Sequence, residues 1–405
     1  MSRINDLIKE LCPNGVVFKR IGEIANYRRG SFPQPYTNES YYGGEDAMPF
    51  VQVADVKDNF RLVDSTKNTI SKIAQPLSVF VPKGTVIVTL QGTIGRVAIT
   101  QYDAYVDRTL AIFEGLSSEL NTKYFVYQLK SKFDYEKQFA RGSTIKTITK
   151  EEMTEFKIPI PPLEVQKEIV RILDKFGELE AELEAELEAR NSQYEFWRRK
   201  LFETTGKLVK LNEVSKVIDS LHATPKYVDE GYPMIRVADV KGGIVDTSNA
   251  LKVDEETYKK FISKYKPLEN DIIISRVGSF GNVCVVGNED ICLGQNTSII
   301  HPLINSKYLY YYLLSDNVQE WIKNNVNGAG YKSLSLANIN DIPIIVPSEE
   351  EQRRIANTLS KFDALINDIS IGIPAEIELR KQQYEYYRNK LLSFEELCNE
   401  WFIRW

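Results

Sequence analysis

The sequence is written twice. Pro49-Phe50-Val51-Gln52-Val53-Ala54-Asp55-Val56-Lys57 returns 184 residues later as Pro233-Met234-Ile235-Arg236-Val237-Ala238-Asp239-Val240-Lys241. Gly92-Thr93-Ile94-Gly95-Arg96-Val97 returns as Gly278-Ser279-Phe280-Gly281-Asn282-Val283. Pro161, Gln166, Ile169, Leu173 and Phe176 return as Pro347, Gln352, Ile355, Leu359 and Phe362, and Gln193-Tyr194-Glu195 with Arg198 and Leu201 as Gln383-Tyr384-Glu385 with Arg388 and Leu391. Order is kept throughout, so the chain is a tandem duplication of a unit of about 190 residues, too long for a solenoid, whose repeats run about 20–50 residues. A length of 405 residues accommodates two or three domains at about 150 residues each.

Each copy has two parts of different periodicity. The first is rich in short β-type runs, at Phe50–Val56, Val86–Leu90 and Arg96–Thr100 and at Ile235–Val240, Asp271–Ser275 and Val283–Val286, punctuated by Gly and Pro. One helix is expected late in each, over Thr122–Gln138 and Lys307–Asn324. Gly92, Gly95, Gly278 and Gly281 read as turn glycines needing unusual backbone angles. The second part is a long helix, preceded by Pro159, Pro161 and Pro162 in one copy and by Pro343 and Pro347 in the other.

Helix one is expected from about Leu163 to Phe202, with Ile169, Leu173, Phe176, Leu183, Leu187, Tyr194, Trp197 and Leu201 on a coiled-coil seam. Its middle is Glu-Leu-Glu-Ala three times over, at 178–181, 182–185 and 186–189. Such residues are strong helix formers on a solvated face, and each four-residue copy adds about 6 Å of rise. Helix two carries Ile355, Leu359, Phe362, Ile366, Ile369, Ile373, Arg380, Tyr384, Tyr387 and Leu391 on a comparable stripe, with an interruption expected at Gly372 and Pro374. Tyr194, Trp197, Tyr384 and Tyr387 read as helix-packing residues. Phe176 to Tyr194 is 18 residues and Phe362 to Tyr384 is 22, so the two arms differ in length.

Several functions lack their residues. Cys12, Cys284, Cys292 and Cys398 are scattered, with only His222 and His301 to complete a metal site, which fits reduced thiols rather than a zinc cluster or disulfides. No apolar run approaches a membrane span and the first residues lack a signal-peptide core, so a cytoplasmic protein is expected. There is no phosphate loop and no nucleophile elbow. The Pro-Pro-aromatic tetrad of amino-methyltransferases is missing, since Pro161-Pro162 is followed by Leu163. The chain is not expected to be an enzyme by itself.

Two β-rich domains each followed by a similar helix resemble the specificity (S) subunits of type I restriction-modification systems, the HsdS family. The opening Leu7–Val16, the run Val86–Val97, the lead-in Ile158-Pro159-Ile160-Pro161-Pro162-Leu163-Glu164 and the repeated Gln-Tyr-Glu-x-Tyr/Trp-Arg-x-Lys-Leu all carry the likeness. In the second copy the lead-in departs to Pro347-Ser348-Glu349-Glu350-Glu351-Gln352. The resemblance implies an α+β fold with target recognition domains at 1–163 and 208–348, a central spacer helix at 164–207 and a C-terminal helix and tail at 349–405, the two helices packing as an antiparallel coiled coil. It implies a non-catalytic reader of a bipartite, asymmetric site on double-stranded DNA that docks two methyltransferase (M) subunits and restriction/translocase (R) subunits. This chain would bind no cofactor of its own. S-adenosylmethionine would belong to the M subunits and ATP with Mg to the R subunits, and the copy number of the four-residue repeat would set half-site spacing.

Net charge alone argues otherwise: 51 basic against 56 acidic side chains give −5. Residues 1–163, however, carry 21 basic and 18 acidic groups, while 164–202 carry 7 and 10, 203–348 carry 15 and 17, and 349–405 carry 8 and 11. Candidate DNA contacts lie beside the repeated turns. They are Arg28 and Arg29 after the first strand, matched by His222 and Lys226; Lys57, Arg236 and Lys241 around the repeated Val-Ala-Asp-Val; Gln91 and Arg96, then Arg276 and Asn282, bracketing the glycine turns; and Arg141, Lys146 and Thr147 with Tyr331 and Lys332 opposite. Arg suits guanine O6 and N7, Asn and Gln suit adenine, and Lys more often holds phosphate. Asp55 and Asp239 read as loop-fixing residues. The competing readings are a protein-only coiled-coil scaffold and a self-sufficient DNA methyltransferase.

Overall fold

A computed structural model describes residues 2–139, 153–326, 332–368 and 371–397. Its contacts divide the chain into two units, residues 1–182 with 377–405, and residues 183–376. The first contains α1 (Ser2–Leu11), β1 (Val17–Arg20), α2 (Ile21–Ile24), β2 (Asn26–Arg29), β3 (Met48–Val51), β4 (Asn68–Ile70), β5 (Val79–Val81), β6 (Val86–Thr89), β7 (Val97–Ile99), β8 (Ala104–Val106), β9 (Leu110–Glu114), α3 (Thr122–Phe139), β10 (Lys157–Ile160) and the start of α4 (Leu163–Leu201). The second contains the rest of α4, then β11 (Lys207–Lys210), α5 (Leu211–Val214), β12 (Ser215–Asp219), β13 (Tyr227–Val228), β14 (Tyr232–Ile235), β15 (Leu251–Val253), α6 (Glu255–Phe261), β16 (Ile272–Ser275), β17 (Val283–Val285), β18 (Cys292–Leu293), β19 (Thr297–Pro302), α7 (Ser306–Leu313), α8 (Asp316–Asn324), α9 (Leu336–Asn340), β20 (Pro343–Val346) and α10 (Glu349–Asn367). The last helix is α11 (Ile373–Leu392).

The two units repeat one inner sheet, β2-β9-β6-β7 in the first and β12-β19-β16-β17 in the second. The sheet beside it shares the order β4-β3-β8 with β15-β14-β18, but its fourth strand differs, β5 next to β8 in the first unit and β13 next to β15 in the second. The strand β6 reads Val-Ile-Val-Thr and is buried along its length, because both of its faces are covered. Alternation sends Val86 and Val88 toward Tyr124, Phe125 and Phe133 of α3, while Ile87 meets Val51, Val81 and Val106 of the other sheet. Ile272 and Ile274 face the helices in the same way, and Ile273 faces the partner sheet. Each such fully buried side chain contributes about 1.5–3 kcal/mol.

The long helices are held where their sequences repeat. Gln166 and Gln352 are buried. The Gln166 amide oxygen accepts the Asn121 N–H (2.8 Å) at the start of α3, and its Nε2 donates to Glu119 O (2.8 Å) and Pro161 O (2.7 Å). Gln352 likewise accepts the Asn305 N–H (3.1 Å) before α7 and donates to Pro347 O (3.0 Å). The repeated Tyr-x-x-x-Arg closes the other end. Arg198 lies over the Tyr194 ring and pairs with Asp316 of α8 at 3.0 Å; Arg388 lies over Tyr384 and reaches Asp134 of α3 at 3.6 Å. The end of each long helix is therefore clamped to the β-rich domain of the other sequence copy.

Within the first unit α4 and α11 run antiparallel: Phe176 stacks on Tyr387 (5.5 Å) and nears Tyr384 (6.3 Å), and one turn on Glu180 pairs with Lys381 at 3.5 Å. Within the second, Tyr194 of α4 packs against Phe362 of α10 at 6.4 Å. The expected interruption of helix two falls at Gly372, where a β-carbon would lie 2.6 Å from Asp368 O; Ile369 is outside the described residues.

Three expectations change. The run 307–324 forms two helices, α7 and α8, broken at Leu314-Ser315. The strands expected over Phe50–Val56 and Ile235–Val240 stop at Val51 and Ile235, where one-turn 3-10 helices follow at Val53–Asp55 and Val237–Asp239. The cause is that Asp55 and Asp239 accept the Gln52 and Arg236 N–H groups at 2.8 and 2.9 Å, which closes the turn. Trp197 is not a packing residue, remaining 41% exposed edge-on to Phe196. Among the described residues no helix is long and apolar enough to cross a membrane.

The Gln166 bonds generate a prediction. Gln166→Ala strands one buried N–H and two carbonyls, and should cost about 3 kcal/mol in denaturant unfolding; a loss below about 0.5 kcal/mol would show that this glutamine does not hold α3 to α4.

Candidate nucleic-acid interface

In each unit three chain segments meet at one end of the inner sheet. β9 lies between β2 and β6, with Arg29 opposite Ala111 and Val88 opposite Ala111 on its other side. Where β2 ends, Gly30 N–H donates to Leu110 O (3.1 Å) and Ser31 N–H to Val106 O (3.0 Å). Where β6 ends, Leu90 N–H donates to Thr109 O (2.8 Å). Gly30 is required here, since a β-carbon would sit 2.2 Å from Val106 O. The turn 107–109 is fixed by the buried Asp107, whose carboxylate accepts Tyr36 OH (2.5 Å) and Thr109 N–H (2.9 Å).

The glycine turn follows at once. Gly92 and Gly95 have φ of +66° and +77°, as the sequence leads one to expect, and Gly95 also needs its bareness because a β-carbon would fall 2.7 Å from Phe133. The buried Thr89 hydroxyl accepts Arg96 N–H (3.0 Å) and donates to Thr93 O. Arg96 reaches across to Val56 O (3.4 Å) and Asp58 (3.2 Å), so the loop carrying Lys57 lies beside the turn.

The second unit builds the same end. Ser220 N–H donates to Thr297 O (3.3 Å), Arg276 N–H to Asn296 O (2.8 Å) and Gly294 N–H to Ile235 O (2.8 Å), the last matching Asp107 N–H on Val51 O (3.0 Å). Gly278 and Gly281 have φ of +69° and +82°, and Ser275 replaces Thr89, accepting Asn282 N–H at 3.1 Å. Asp219, opposite Ser298, is a hub. Its Oδ1 accepts Arg276 Nη1 (2.5 Å) and Ser298 Oγ (3.1 Å), and its Oδ2 meets His222 Nε2 (2.9 Å). Arg276 also donates to Leu334 O (3.1 Å), which brings the 332–334 segment alongside. Burial works against the charge on Asp219, but hydrogen bonds from His222, Arg276 and Ser298 outweigh it and hold the carboxyl below the ordinary aspartate range.

The sequence-derived candidates separate on this frame. Arg29, Lys57 and Gln91 are exposed around the first end, with Arg96 half-buried among them; His222, Lys241, Asn282 and Lys332 are exposed around the second. Asn282 Nδ2 donates to Val240 O (3.3 Å), and Arg236 is drawn to Asp239 (3.4 Å). Lys226 is exposed ahead of β13. Arg28 and Arg29 are both in β2 rather than after it, and Arg28 is held by Glu114 of β9 at 2.6 Å. Matching the Arg28-Arg29 loop with His222 is corrected by the register, which places Asp219 at the position of Arg29. Arg141, Lys146, Thr147 and Tyr331 lie outside the described residues.

Sequence reasoning missed Arg108 and Gln295, both exposed on the turns that feed β9 and β19. The flanking segments Val106–Leu110 and Leu293–Thr297 share no identical residue, so only the ladder register reveals the match.

The Asp219 hub has a pH signature. Because its folded pKa is lowered, it adds stability that is fully present above the unfolded aspartate value of about 3.9 and is lost as pH falls through the lower folded value. Asp219→Asn should therefore flatten the dependence of melting temperature on pH below about 4; a variant with the wild-type slope there would contradict this role.

Residues 13–189 and 205–379 each match the type I restriction modification DNA specificity domain. The chain is 32% identical over 276 residues to a putative type I restriction enzyme specificity subunit of Haemophilus influenzae, covering 63% of this chain and 68% of that one. It is 25% identical over 402 residues to the EcoprrI specificity subunit of Escherichia coli, covering 91% and 93%. The crystal structure of a type I S subunit from M. genitalium shares the fold, with a TM-score of 0.53 at 17% identity over 93% of this chain and 96% of that one. With both halves matched in order on a duplicated fold, the chain belongs to the type I restriction-modification DNA specificity family, the HsdS subunits that recognise DNA targets.

Proposed function

We propose that this chain reads a bipartite, asymmetric site on double-stranded DNA, one half with each β-rich domain, as the non-catalytic subunit of a cytoplasmic complex. The recognition domains are residues 1–163 and 208–348, joined by the spacer 164–207 and followed by the C-terminal helix and tail from 349. Two methyltransferase subunits would dock on the helices and restriction subunits would complete the assembly, with S-adenosylmethionine and ATP/Mg belonging to those partners.

One observation carries this reading: the same three-segment end is built twice from matching backbone bonds, yet displays different side chains. Lys57 and Lys241 are alike and suit phosphate, which positions without specifying. Arg29 against Asp219, Arg96 against Asn282 and Arg108 against Gln295 differ, and a differing set of donors and acceptors at matched geometric positions suits two different half-sites. The acidic total does not oppose it, because phosphate neutralisation is local to the exposed turns and shared with partners.

The spacer makes the reading testable. Deleting residues 182–185, one Glu-Leu-Glu-Ala copy, shortens α4 by about 6 Å, roughly two base-pair steps. Mapping N6-methyladenine in a host carrying the variant with its methyltransferase subunit should show both half-site sequences unchanged and a shorter spacer. Unchanged spacing would rule out the helix as the ruler.

A further inference from the structure

We infer that Arg108 and Gln295 are a matched pair of base-reading residues, one in each domain, Arg108 selecting guanine and Gln295 selecting adenine. The inference rests on the DNA-reading function proposed above and assigns its specificity to two side chains.

Equivalence is fixed from both sides. Parallel pairing sets Val51 beside Val106 and Ile235 beside Leu293, and antiparallel pairing sets Thr89 beside Leu110 and Ser275 beside Thr297. The three residues between, 107–109 and 294–296, then match one to one. Arg108 and Gln295 are the central residues of the two turns, beside the glycine turn in each unit.

Their chemistry is available for a partner. Arg28, Arg96, Arg236 and Arg276 are each bound to a carboxylate, whereas Arg108, among the described residues, has no ion pair. Its guanidinium lies over the Tyr36 ring, 5.2 Å from the centroid, and the Tyr36 hydroxyl is tied to Asp107. This arrangement orients the planar fork while leaving its donors free, as bidentate contact to guanine O6 and N7 requires. Gln295 sits on a turn held by Asn296 at φ +65° and by Thr297 Oγ1 donating to Gly294 O (2.8 Å). Its exposed amide has no partner among the described residues, and an amide of this kind pairs with adenine N6 and N7.

The test selects binding sites from random double-stranded DNA with the complex of this chain and its methyltransferase subunit, for wild type, Arg108→Ala, Arg108→Lys and Gln295→Ala. Wild type should return two half-site motifs. Arg108→Ala should lose about 10- to 100-fold preference for one guanine in one half only, and Gln295→Ala the same for one adenine in the other half. Arg108→Lys should recover overall affinity but not the guanine preference, which a phosphate-only role would not produce. Variants that weaken all sequences equally, or keep the wild-type motif, overturn the inference while leaving the DNA-reading function standing. A wild-type complex that selects no motif overturns that function and the inference with it.

Discussion

The register of one central strand governs each domain. β9 and β19 are each hydrogen-bonded on both sides, and a one-residue slip would exchange Ile112 and Ile299, packed toward the neighbouring sheet, with Phe113 and Ile300, packed toward the helices. All four are buried, so a slip would misfit the packing on both faces at once. With the register fixed, the exit of the edge strand, the glycine turn and the turn feeding the central strand must converge at one end.

Duplication separates scaffold from function. What the copies share is what the backbone needs: the carboxylates that close the 3-10 turns, Thr89 or Ser275 beneath the glycine turn, the glutamines at the helix starts and the arginines at their ends. What they do not share is displayed on top of it. Arg29 faces solvent in one unit, while Asp219 at the same position gathers His222, Ser298 and Arg276 in the other. Net charge averages over these arrangements and carries little information about either.

Much of the fold was legible because it is periodic or repeated. The long helices, the interruption at Gly372 and the positive φ of the four turn glycines follow from propensity and sterics acting over a few residues. Strand ends were less legible, since Asp55 ends a strand through hydrogen bonds that hydrophobic runs do not reveal. The candidate site was least legible. Whether an arginine is free depends on carboxylates far away in sequence, such as Glu114 for Arg28 and Asp219 for Arg276. Arg108 and Gln295 have no identical neighbours to mark them, and only strand pairing makes them equivalent.

Hydroxyl-radical footprinting of the methyltransferase complex on its own target tests the central claim most directly. Two protected tracts flanking an unprotected spacer, weakening steeply as salt rises and absent on scrambled DNA, are the predicted result. A single continuous tract, or protection indifferent to sequence, would contradict a chain that reads two half-sites with two copies of one fold.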